Sequence, residues 1–177
     1  PERGRIGIFN RSYYEEVLIV RVHPEFLQAQ KLPAGLVTKD IWKNRYEDIR
    51  NFERYLARNG MVILKFFLQV SKKEQQERFL ERLEDPQKNW KFSSTDVEER
   101  RYWNDYMNAY EEMIRHTATK YAPWFVVPAD HKWFTRYAVA GIIIQRLTEL
   151  NLKFPQLNKE KQQELKNIKS NLLGKAK

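Results

Sequence analysis

Asn10-Arg11-Ser12, Gln69 with Ser71-Lys72-Lys73, and Asp130 with Lys132 each follow directly on a short apolar run. Arginine, lysine and serine hold phosphate oxygens through charge-assisted hydrogen bonds, and a carboxylate can hold a divalent metal, so these residue types suit a phosphate ligand. Parallel α/β sheets bind ligands beyond the carboxyl ends of their strands, and the three clusters are expected to converge there. Asp130 is the one metal candidate. Each of these residues could equally be a loop charge facing water, and that alternative stays open.

A further group shares a helix face. Gln75, Arg78 and Arg82 are spaced three and four apart, while Phe79 and Leu83 occupy another side. An arginine face just past a strand end can close over a phosphate chain. Glu74 can also pair with Arg78 at i,i+4, and a salt-bridged surface helix accounts for the same residues. If these arginines hold phosphate from an exposed surface, replacing them should move stability by no more than about 0.5 kcal/mol.

Three strands are expected to position these groups: Gly4 to Phe9, Met61 to Val70 and Trp124 to Val127. Between the first two, Ile41, Ile49, Phe52 and Leu56 recur at helical spacing, predicting a helix over residues 39–58 with Gly60 as its stop. Ser71-Lys-Lys-Glu74 is a capping-box pattern that opens a helix to Glu84, ended by Asp85-Pro86. Another is expected from Ser94 or Thr95 to His116, carrying a core stripe of Tyr102, Tyr106, Tyr110 and Ile114. Asp130 is expected to cap a helix through Leu150 whose AVAGIII segment is deeply buried. Asn158 caps a last polar helix, and residues 159–177 hold six Lys against two Glu. Strands alternating with helices imply parallel pairing and an α/β fold.

The whole is one domain's length at 177 residues, and 32 Lys and Arg against 23 Asp and Glu leave a net charge of +9. Such charge favours polyanions: nucleic acid, anionic lipid, nucleotides or phosphate polymers. The apolar run Ala138 to Ile144 is far shorter than the roughly 20 residues of a membrane-spanning helix, which argues against a membrane partner. Absence of cysteine removes thiol chemistry and makes the cytoplasm the default. His23, His116 and His131 stand alone, giving no paired metal-ligand spacing. No G-x-x-x-x-G-K-[S/T] loop occurs among the six glycines.

The strings IFNRSYYEEVLIVRVHP, ILKFFLQVSKKEQQERFLERLEDPQKNWKFSSTDVEER and APWFVVPADHKWFTR resemble, in order, the strand-end motif, lid and last-helix approach of the polyphosphate kinase 2 family. That resemblance runs from Arg5 to about Leu150 and implies a P-loop kinase-like, three-layer α/β/α fold with a parallel sheet, similar to thymidylate kinase, and a helical lid over about residues 71–100. It implies Mg²⁺-dependent phosphoryl transfer between inorganic polyphosphate and AMP or ADP, with GMP or GDP as further acceptors, and a homo-oligomer. Arg11, Asn10 and Arg78 would be catalytic. Ser12, Lys72, Lys73, Gln75, Arg82, Lys91, Asp96, Lys132 and Arg136 would bind phosphate. Asn10 stands where other branches carry Asp, which removes a metal ligand there and looks more like the branch acting on AMP and ADP.

The family also carries a glycine-rich P-loop on the strand before this region. Its absence gives the expectation of a chain lacking its amino-terminal part, and by itself a much slower enzyme. Two other classes remain: a basic nucleic-acid-binding protein, disfavoured because the aromatics fall on core stripes, and a non-catalytic assembly module.

Overall fold

A computed structural model describes residues 1–174 of the chain, the side chain of Lys91 excepted. A 3-10 turn over Tyr13–Val17 leads into two short helices, α1 (Ile19–Val22) and α2 (Pro24–Ala29), and then α3 (Ile41–Arg58). On α3, Ile41, Tyr46, Ile49 and Glu53 fall on one side and are buried. Gly60 ends the helix as expected: at φ 84° it lets its own amide reach Ala57 O at 3.0 Å and the Met61 amide reach Leu56 O at 3.1 Å, satisfying two terminal carbonyls.

Strands β1 (Lys65–Gln69) and β2 (Trp124–Pro128) pair in parallel, Lys65 opposite Trp124 through Gln69 opposite Pro128. Between them lie α4 (Lys72–Glu84), α5 (Ser94–Glu99), a 3-10 turn over Arg100–Tyr102 and α6 (Trp103–Thr117). Parallel strands joined through helices are the expected α/β arrangement. Ala109, Met113 and Thr117 form the buried stripe of α6, and Met113 joins Tyr14, Val17, Tyr46 and Ile49 in the core.

Several expectations are corrected. Gly4 to Phe9 forms no strand: a strand is held by its ladder, and residues 4–9 have no strand partner among the described residues, with Ile8 87% exposed. The single helix expected from Ser94 to His116 is broken, because Ser93 and Asp96 close a capping box on a first short helix before the 3-10 turn at Arg100 to Tyr102. Tyr102, the first residue of the aromatic stripe, is exposed, and Tyr106, Tyr110 and Ile114 are half-buried rather than core.

Contacts divide the chain into units Pro1–Val139 and Ala140–Lys177, and α7 (Lys132–Glu149) runs from the first into the second. No residue of α7 is buried, contrary to the expectation for AVAGIII, and Ile144 is 63% exposed. Its apolar residues surround the helix, and burying a helix on every side requires neighbours on every side. In the second unit, α8 (Lys159–Leu172) begins as expected: Asn158 Oδ1 accepts the Lys161 amide at 2.8 Å. Residues 175–177 of the expected polar tail lie outside the described residues. No described helix is long and apolar enough to cross a membrane.

Candidate functional site

Beyond the carboxyl ends of β1 and β2 lies a cavity of about 320 Å³, lined by Gln69, Ser71, Pro128, Asp130, His131 and Phe134. Both strands hand directly to helices, so the amino termini of α4 and α7 start at this cavity. The first amides of a helix lack intrahelical acceptors and carry its positive dipole end, which suits an anion. Ser71 Oγ caps α4 by accepting the Glu74 amide at 3.1 Å.

The other half of the expected capping box is replaced. Asp130 Oδ1, rather than Glu74, accepts the Ser71 amide at 2.7 Å. Asp130 therefore ties the two strand ends together. This amide bond holds its carboxyl below the usual range. Glu74 turns instead to Arg78 Nε at 2.7 Å.

Arg78 makes the i,i+4 pair with Glu74 that the salt-bridged alternative expects, and it is not a free lid cation. Its Nη2 donates to Ala129 O at 2.6 Å and Asp130 O at 3.1 Å, so the guanidinium is half-buried and spent on the loop after β2. The expectation of an almost neutral substitution is accordingly revised. Arg78→Ala should cost about 1.5–3 kcal/mol, the range for hydrogen bonds to a charged group, and lower the urea midpoint. An unchanged midpoint would show that the three bonds hold nothing.

Other site residues divide clearly. Lys72, Lys132 and Arg136 are exposed, and Lys73 pairs loosely with Glu77 at 3.6 Å. Gln75 accepts from Arg100 Nη1 at 2.8 Å, and Arg82 is half-buried with no ion pair among the described residues. Asp96 Oδ2 accepts the Ser93 amide at 3.4 Å, a local cap. The Lys91 side chain lies outside the described residues. Asn10, Arg11 and Ser12 do not join the others: no hydrogen bond or ion pair among the described residues links them to either strand-end cluster. Ser12 caps the 3-10 turn, and Arg11 Nε lies 3.5 Å from Glu15. Two of the three expected clusters meet; the third is held through its neighbours.

Those neighbours form a network that the sequence reading missed. Glu53, fully buried, accepts from Tyr14 at 2.7 Å and Tyr13 at 3.1 Å through Oε1, and from Lys65 Nζ at 2.7 Å through Oε2. Lys65 also donates to the Tyr14 hydroxyl at 2.8 Å and to Thr117 O at 3.0 Å. Burial pushes both tyrosines up and Lys65 down. A lysine inside the apolar run MVILKFFLQV was the available signal, since a buried cation demands a partner.

His23 is a second buried polar centre. Its Nδ1 lies 3.1 Å from Glu25 and its Nε2 3.0 Å from Glu99, which also accepts from Tyr106 at 2.9 Å. Burial would lower its pKa, but Glu99 and then Glu25 together raise it. A folded pKa above the unfolded value of about 6.5 gives stability that is full below pH 6.5 and lost as pH rises through the folded pKa. Wild-type urea stability should fall across that window, and His23→Gln should flatten the fall. An identical slope in both would remove His23 from the account.

No three carboxylate or imidazole groups meet as a metal cluster among the described residues. Asp130, the metal candidate, already has one oxygen engaged by the Ser71 amide. These residues alone do not make a cage for Mg²⁺.

Comparison with known proteins follows the same lines. The pattern of the family Polyphosphate kinase 2 matches residues 1–155. An ADP-polyphosphate phosphotransferase of Rhodopseudomonas palustris is 50% identical over 98% of this chain and 60% of its own length. An AMP/ADP-polyphosphate phosphotransferase of Meiothermus ruber is 47% identical over 88% of the chain and 54% of its own length. The chain thus spans little more than half the length of these curated relatives. The crystal structure of polyphosphate kinase 2 from Arthrobacter aurescens TC1 superposes with a TM-score of 0.79 at 40% identity, covering 93% of this chain and 55% of that one. With its parallel strand ends, its helix termini and these matches together, the chain belongs to the polyphosphate kinase 2 family.

Proposed function

We propose that this chain takes part in phosphoryl transfer between inorganic polyphosphate and AMP or ADP. The observation that carries the reading is the cavity beyond β1 and β2, onto which two helix amino termini and Ser71 open. Phosphoryl transfer needs little covalent chemistry from protein; it needs the phosphates held in line and their charge offset. Helix-terminal amides supply fixed partial charge at the cavity, and the exposed Lys72, Lys73, Lys132 and Arg136 supply mobile cations around it. Arg11, exposed at the Asn10–Ser12 turn, is the proposed catalytic cation, with Asn10 shaping its surroundings. Gln75 and Arg82 on α4 belong to the proposed lid.

The names of the relatives support an adenine nucleotide as the second substrate. Guanine nucleotides, Mg²⁺ dependence, a cytoplasmic location and a homo-oligomer complete the proposal on the strength of the family resemblance. The test is formation of ATP from ADP, or of ADP from AMP, by the purified protein with polyphosphate and Mg²⁺. Product that requires both substrates is the expected result, formed orders of magnitude more slowly by this chain alone than by one extended through a preceding glycine-rich P-loop segment. No product above the protein-free rate from either protein would overturn the reading.

A further inference from the structure

Residues 1–13 are exposed throughout, and the first side chain the chain sends into its core is Tyr14. The turn that carries Arg11 is weakly held by itself: Ser12 Oγ lies 3.4 Å from the Tyr14 amide, and the Arg11 to Glu15 pair is solvent-exposed. Its firm attachment is the buried network. Tyr13 and Tyr14, two consecutive residues, both donate to the same oxygen of Glu53, which fixes the rotation of the 3-10 turn as well as its position.

Three further elements clamp that carboxylate and its partner. Glu53 comes from α3, Lys65 from the start of β1, and the Thr117 carbonyl from the end of α6. The Thr117 hydroxyl is locked in turn, donating to Met113 O at 2.6 Å and accepting from Trp124 Nε1 at 2.9 Å. No buried side-chain nitrogen or oxygen among the described residues is left without a partner. An apolar core would fill the same space, since a buried ion pair is often no more stabilising than well-packed apolar residues. What the ion pair adds is direction: two phenol hydroxyls have one carboxylate oxygen to meet.

We propose that Glu53 and Lys65 are positioning residues, which through Tyr13 and Tyr14 set the course of the Asn10–Ser12 turn and hence the placement of the Arg11 guanidinium. What Arg11 then does rests on the proposed function; the anchoring of the turn does not. The test compares the wild type with the variant Glu53→Met, Lys65→Met, Tyr14→Phe, which removes the paired charges together and so leaves neither buried alone. Hydrogen exchange without ligand is read first. Amides of residues 11–17 should exchange at least tenfold faster in the variant, with those of α3 and β1 unchanged.

Polyphosphate affinity is read second, with and without Arg11→Ala. If the network acts through Arg11, the loss caused by Arg11→Ala should shrink at least fivefold in the variant background, whereas a merely structural network would leave it the same. Equal protection of residues 11–17 in both proteins overturns the anchor, whatever the affinity. An undiminished Arg11→Ala effect overturns its link to Arg11. Faster exchange in a protein whose wild type does not bind polyphosphate upholds the anchor and refutes the phosphate reading instead. The milder pair Tyr13→Phe/Tyr14→Phe, which retains both rings and the ion pair, carries the same readouts should the triple variant fail to fold.

Discussion

Arg11→Ala weakens polyphosphate binding by about 10- to 100-fold while moving the melting temperature by less than about 2 °C. The first figure is the worth of a charge-assisted hydrogen bond, about 1.5–3 kcal/mol, converted at about 1.4 kcal/mol per tenfold. The second follows from exposure. The Arg11 side chain is 87% exposed, and its ion pair to Glu15, at 3.5 Å, joins residues four apart in the chain. Surface substitutions of that kind stay within about 0.5 kcal/mol, or roughly 1–2 °C for a chain of this size. Isothermal titration with polyphosphate of defined length, beside a thermal melt, measures both. Equal affinity would remove Arg11 from the site, and a large loss of stability would make it a structural residue.

Glu53→Ala has the opposite signature. It should destabilise the fold by about 3–5 kcal/mol, because the Lys65 ammonium stays behind in the core without its counter-charge. Two tyrosine hydroxyls lose their acceptor as well. Against a typical domain stability of about 5–15 kcal/mol, this leaves a chain near its unfolding threshold. Glu53→Met/Lys65→Met, which removes both charges, should recover most of the loss. Urea denaturation of the three proteins decides the matter: a Glu53→Ala midpoint equal to that of the wild type would mean that the pair is not the closed, desolvated unit its geometry describes.

How much of this was legible in the sequence depended on how local each cause was. Gly60, Ser71 and Asn158 end or begin helices through bonds to residues within five positions, and all three read correctly. The same holds for β2, whose short apolar run sits between Pro123 and the Asp130 turn. Gly4 to Phe9 has equal strand character, but a strand exists only through its ladder partner, which no local pattern contains. Arg78 reads as one of three polar residues sharing a face of α4, yet its acceptors are carbonyls 51 and 52 residues away. Glu53 reads as one more charge in the helix NFERYLAR, because its partners lie 12, 39 and 40 positions distant. Charge patterns predict which residues can bind anions; only the fold says which of them are already engaged.

The central claim is that phosphate binds at the helix termini beyond β1 and β2, and amide chemical shifts during polyphosphate titration test it most directly. The account predicts that Ser71, Lys72, Lys73, His131 and Lys132 shift first and saturate together. Shifts confined to the lysine-rich helix α8, with those five amides unmoved, would contradict it.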